Sequence, residues 1–172
     1  MRLGYLGPSG TYSETAARTY RVHAEMTPYP SIPAVAEAVE RGEVEEAVVP
    51  IENSLQGAVT EVLDFLLNSA ATRIRGELAI PIAHCLLAPA GTRIENVEVV
   101  YSHPQALGQC HRYLRNNLPH AELRASASTA GSVSDMLESK RPAAAIAPRR
   151  AAEIYGVETL AEGIQDNPEN YT

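Results

Sequence analysis

Along this chain a short apolar run repeatedly gives way to a turn of small polar residues, then to a stretch with helical spacing. That order points to α/β with parallel strands, because a helix must carry the chain back before the next parallel strand can begin. Arg2–Leu6 reads as the first strand and Gly7-Pro8-Ser9-Gly10-Thr11 as its turn. Tyr12–Arg21 follows as a helix, with Ser13 as the expected capping residue. A second helix is expected over Pro33–Arg41, capped by Ser31 and stopped by Gly42. Ala47–Ile51 is apolar without alternation, the pattern of a strand covered on both faces. Glu52 to Gly57 then turns the chain into a helix over Val59–Asn68, with Val59, Val62, Leu63, Leu66 and Leu67 on its apolar stripe.

Arg75–Ala88 is extended, broken by Pro81, and too long for one strand of a small lobe. It is expected to cross from a first lobe to a second, where the pattern restarts. Strands are expected at Val97–Tyr101, Leu123–Ala125, Ala143–Ala147 and Val157–Leu160. Helices are expected at Ala106–Asn116, Thr129–Ser139 and Arg149–Tyr155, the last ended by Gly156.

Composition agrees with two small lobes, since 172 residues with 45% apolar content can fill cores of roughly 80 residues each. A net charge of -7, with basic doublets only at Lys140-Arg141 and Arg149-Arg150, argues against nucleic acid as a partner. No apolar stretch nears the roughly 18 residues a membrane span needs, and no secretory leader precedes the first strand. Two cysteines, Cys85 and Cys110, make no disulfide framework, so a cytoplasmic location is expected. His84-Cys85 and Cys110-His111 match no zinc spacing, and no metal is expected. GPSGT lacks the lysine of a nucleotide P-loop, no G-x-G-x-x-G follows a strand, and no serine sits in a G-x-S-x-G elbow.

The turns are the informative part. GPSGTYSE, PIENSLQGAV, YSHPQALGQC and SASTAGSVSD all follow strands, and ligands of parallel sheets bind at strand carboxyl ends. Each opens a helix, whose first amides and dipole favour an anion. Each turn taken singly is better explained as an ordinary helix cap. Together, with Asn53 and Gln105 where capping does not need them, they suit a small molecule with more than one carboxylate, and the side chains of Ser9, Thr11, Asn53, Gln105 and Thr129 are expected to face it.

GPSGTYSETAA, PIENSLQGAVTEVLDFLL, SHPQALGQC, Ser128-Thr129-Ala130, AAIAPRRAAEIYG and the closing DNPENYT resemble, in order, the prephenate dehydratase family of phenylalanine synthesis. The resemblance implies a two-lobed α/β fold of the periplasmic-binding-protein type (type II), with the active site in a cleft between parallel-sheet lobes. Residues 1–77 with 164–172 would form one lobe and 78–163 the other. Asn170-Tyr171-Thr172 matches the start of the family's Asn-x-Thr-Arg-Phe motif, and the arginine, the phenylalanine and the phenylalanine-binding ACT domain lie outside the chain. The implied substrate is prephenate, decarboxylated and dehydrated to phenylpyruvate without metal or redox cofactor, by an enzyme that is a homo-oligomer at full length.

By this resemblance Thr172 is catalytic and donates a hydrogen bond to the leaving hydroxyl. Glu52 is either an acid with a raised pKa or a brace for its turn. Asn53, Ser54, Ser102, Gln105 and Thr129 bind and orient the substrate. With the chain ending at Thr172, that residue is expected to be loosely held and the activity of this chain low. An arogenate dehydratase, a prephenate decarboxylase that does not aromatise, and a non-catalytic carboxylate-binding protein of the same fold remain as alternatives.

Overall fold

The computed structural model describes residues 1–69 and 71–172. The chain forms two compact units, Met1–Ile82 with Glu169–Thr172, and Ala83–Pro168. Both crossings fall a few residues beyond the expected ones, because Ile80 and Ile82 stay hydrogen-bonded to the last residues of the chain.

The first unit runs β1 (Arg2–Leu6), α1 (Tyr12–Tyr20), β2 (Glu25–Tyr29), α2 (Ile32–Glu40), β3 (Glu46–Val48), β4 (Glu52–Asn53), β5 (Gly57–Ala58) and α3 (Thr60–Asn68). Its sheet is parallel throughout, in the order β2-β1-β3. Strand β2 was not expected from sequence: EMTPY has no apolar alternation and contains a proline. It is an edge strand, where a missing N–H is tolerated. Residues 52–58, expected as a plain turn, pair instead as the two-stranded β4–β5 ribbon, Glu52 opposite Ala58 and Asn53 opposite Gly57.

The second unit runs β6 (Cys85–Ala88), β7 (Val99–Ser102), α4 (Pro104–Gln109), α5 (His111–Asn117), β8 (Glu122–Ala125), α6 (Gly131–Leu137), β9 (Ala143–Ala147), α7 (Arg149–Tyr155) and β10 (Glu158–Glu162). The sheet order is β10-β6-β9-β7-β8. Pairs β7–β8 and β7–β9 are parallel, whereas β6 is antiparallel to both β9 and β10. This sheet is therefore mixed rather than wholly parallel. Alternate residues of β9 enter opposite cores. Ala144 and Ile146 pack with Leu86, Val100, Ala106, Cys110 and Leu114, while Ala143, Ala145 and Ala147 pack with Leu87, Val133, Met136 and Ala151. With helices on both faces, the strand shows no polar alternation. The helix expected over 106–116 is broken at Cys110, so its amphipathic stripe is shared by α4 and α5. Helix α7 ends at Gly156, whose φ of 65° is the left-handed conformation a glycine adopts without a Cβ clash.

No helix among the described residues is long and apolar enough to cross a membrane.

Candidate active site

Thr172 is not loose. Its amide donates to the Ile80 carbonyl (3.0 Å), its carbonyl accepts from the Ile80 amide (2.9 Å), and its hydroxyl donates to the Glu52 carbonyl (3.0 Å). Ile82 N donates to Asn170 O (2.8 Å), and Pro81 and Tyr171 form a bridge between these bonds. The returning segment is thus a short antiparallel partner of Ile80–Ile82, which anchors it without any residue beyond Thr172.

The β4–β5 ribbon holds the same segment from the other side. Asn53 Nδ2 donates to Asn170 Oδ1 (2.9 Å) and Tyr171 O (3.0 Å), and Asn53 Oδ1 accepts from Leu55 N (3.1 Å). Ser54 Oγ accepts from Tyr171 N (3.0 Å) and donates to Glu169 O (3.4 Å), while Ser54 N donates to Tyr171 O (2.9 Å). Both hydrogens of the Asn53 amide and the single hydroxyl hydrogen of Ser54 are committed within the protein. Neither side chain has a donor left for a carboxylate. Glu52 meets Thr172 through its backbone carbonyl, and its carboxyl group is exposed. Thr172 also borders a cavity of about 450 Å³ whose walls include Ile32, Val35, Val48, Phe65 and Leu78. Ser13, Thr72, Arg73 and Arg75 also line it, so its apolar walls are interrupted by hydroxyl groups and two guanidinium groups.

In the GPSGT turn the side chains of Ser9 and Thr11 are both hydrogen-bonded within the protein. Thr11, not Ser13, is the N-cap of α1: its hydroxyl accepts from Glu14 N (3.3 Å) and donates to Pro8 O (2.9 Å). Ser9 Oγ pairs with Tyr5 Oη (2.9 Å). Sequence reasoning missed Glu14, which is 1% exposed and takes the Gly10 amide (2.6 Å) and Arg18 Nε (2.7 Å) on its two oxygens. One amide that looked available to a substrate anion is filled by the chain's own carboxylate. The signal was present: Thr11 and Glu14 stand at capping-box spacing.

In the second unit Ser102 must be corrected. Its side chain is 0% exposed and its hydroxyl donates to Ile146 O (2.6 Å), so it ties β7 to β9 and cannot reach a substrate. As the last residue of β7 it spends its hydroxyl on the neighbouring strand rather than facing out of the turn. Gln105 and Thr129 are half-buried, and their side-chain polar atoms make no hydrogen bond among the described residues. Of the expected binding residues, these two have side chains with no hydrogen bond among the described residues.

His84, weighed from sequence only as a metal ligand, is a buried hydrogen-bonded group. It is 2% exposed; Nε2 meets Gln109 Oε1 (2.8 Å), its amide donates to Gln165 Oε1 (3.0 Å), and its carbonyl accepts from Ile164 N (3.1 Å). Burial lowers its pKa, opposed more weakly by the Gln109 hydrogen bond. Burial likewise raises both thiols, that of Cys110 to about 12, which suits small core residues rather than nucleophiles. Among the described residues no group of three His, Cys, Asp or Glu side chains could hold a metal.

The model of the prephenate dehydratase family matches residues 3–172. The chain belongs to that family. It is 42% identical over its whole length to arogenate dehydratase 2 of Petunia hybrida, of which it spans 43%. It is 40% identical to the bifunctional chorismate mutase/prephenate dehydratase of Aquifex aeolicus, again over all of this chain and 47% of that one. The chain therefore spans less than half the length of these relatives. The crystal structure of prephenate dehydratase from Arthrobacter aurescens, solved with L-Phe, superposes with a TM-score of 0.91 at 33% identity, over 99% of this chain and 58% of that one. The family's α/β architecture is thus that of this chain.

Proposed function

We propose that this chain catalyses the decarboxylative dehydration of prephenate to phenylpyruvate, or the same reaction on arogenate to give phenylalanine. The observation that supports it most is the family match over residues 3–172, taken with the fixed place of Thr172 on the β4–β5 ribbon. In the reaction the bond from ring carbon to carboxylate breaks and releases CO2. Its electron pair enters the ring, and the bond to the ring hydroxyl breaks on the opposite side. The departing hydroxide takes up one proton and leaves as water. No electrons enter from outside.

Thr172 contributes a hydroxyl at a fixed position. At rest its hydrogen is held by the Glu52 carbonyl. Rotation about the C–O bond redirects it to the leaving hydroxyl, so the hydrogen bond is made as charge develops. An aliphatic hydroxyl does not ionise near neutral pH, so the proton is relayed through it from water, and acid assistance of this kind contributes about 10²–10⁴-fold. Glu52 acts by its carbonyl, as the brace of that hydroxyl. Gln105 and Thr129 supply the uncommitted donors of the second unit for substrate carboxylate. Phenylalanine control through an ACT domain, homo-oligomerisation at full length and a cytoplasmic location belong to the same proposal.

Incubation with prephenate and with arogenate, followed by separate measurement of phenylpyruvate and phenylalanine, tests the reading and decides between the substrates. Turnover of neither would sink it.

A further inference from the structure

The geometry points to Asn53 and Asn170 as positioning residues: the amide pair of half-buried Asn53 and fully buried Asn170 locks the register of the last residues so that Thr172, and not a neighbour, stands against the Glu52 carbonyl. The kinetic half of this inference rests on the dehydratase reading; the structural half does not. In the extended pairing with Ile80–Ile82, side chains alternate, so Asn170 and Thr172 project to one face and Tyr171 to the other. Burial follows the alternation: Asn170 is 0% exposed, whereas Tyr171 is 48% exposed. The face shared by Asn170 and Thr172 is the one the β4–β5 ribbon covers, where Asn170 meets Asn53 and Thr172 meets Glu52.

Backbone bonds alone would not secure this arrangement. A slip of one residue would restore an extended ladder and put the Tyr171 side chain where the hydroxyl belongs. It would also take the Asn53 amide and the fully buried Asn170 oxygen away from each other, and that lost pairing is what marks the register. Asn53 therefore acts on the reaction through the Thr172 hydroxyl, having no donor of its own to offer a substrate.

The test is a double-mutant cycle with an independent structural readout. Asn53→Asp keeps the oxygen that takes the Leu55 amide and removes both donors. It should lower kcat about tenfold or more while KM stays within about threefold. Added to Thr172→Val, it should cost nothing further, because the group it positions is already gone. Hydrogen exchange at the Tyr171 and Thr172 amides should quicken about tenfold in Asn53→Asp and stay unchanged in Thr172→Val. Asn53→Ser, which keeps one donor, should fall between, and serves if the aspartate variant does not fold. A raised KM with kcat preserved, multiplied losses in the double variant, or unaltered exchange would overturn the register lock. Absence of turnover in the unaltered chain would refute the dehydratase reading instead, and the exchange measurement would still decide the lock.

Discussion

Replacing Glu14 should destabilise the first unit by an amount set by one amide rather than by its ion pair. The carboxylate is enclosed and divides between the Gly10 amide and Arg18 Nε, at 2.6 and 2.7 Å. Its guanidinium partner is half exposed, with 47% of the Arg18 side chain accessible, so solvent takes over much of that interaction when it is lost. The ion pair then contributes about 0.5–1 kcal/mol. The Gly10 amide has no such recourse, and stripping an acceptor from a buried donor costs about 1–3 kcal/mol. Glu14→Ala should therefore cost about 1.5–4 kcal/mol by these two terms. Glu14→Gln, which retains an oxygen for Gly10, and Arg18→Ala should each cost about 1 kcal/mol. Against a typical stability of about 5–15 kcal/mol the difference is easily measured by urea unfolding followed by circular dichroism and tyrosine fluorescence. Arg18→Ala as damaging as Glu14→Ala would refute the reasoning, since the ion pair would then be the larger part.

Because His84 is held neutral by burial, its folded pKa lies below the 6.5 of an exposed histidine, and the unfolded chain binds a proton first. Stability should fall as pH drops below 6.5 toward the folded pKa, and His84→Gln should flatten that part of the stability-pH curve, read by urea midpoints at several pH values. Glu52→Gln should leave kcat within about threefold in steady-state assays, since the residue acts through its carbonyl; a loss of about 10²-fold or more would make its carboxyl the acid. Ser102→Ala should lower stability by about 1–2 kcal/mol in the same unfolding assay without changing KM for prephenate.

What the sequence made legible follows from how locally each feature is encoded. Helix α7 and strand β9 are read within a residue because Gly156 ends one and the alanine-isoleucine run defines the other. Strand β2 was invisible, as Met26 is its one aliphatic residue, Pro28 interrupts it, and it is ordered by the neighbour it pairs with. The division of labour at the site is non-local in the same way. Asn53 and Asn170 lie 117 residues apart, and nothing in either stretch announces that one saturates the other. Resemblance to the family could mark both stretches as important, but not that Asn53 and Ser54 spend their donors on backbone and on Asn170. Ser102 was misassigned because a serine at a strand's end looks the same in sequence whether it faces the turn or the sheet.

The discontinuity of the first unit has a bearing on how the protein is made. Its ladder at Ile80–Ile82 is completed only by residues 169–172, and the whole of Ala83–Pro168 lies between. On the ribosome the second unit is synthesised in full before the first can close, so the N-terminal segment waits as an incomplete nascent body while its successor is emitted. The second unit is contiguous and can be excised as one gene segment. The first can be freed only by splicing residue 82 to residue 169, a join that inserts a new loop where an entire folding unit used to be.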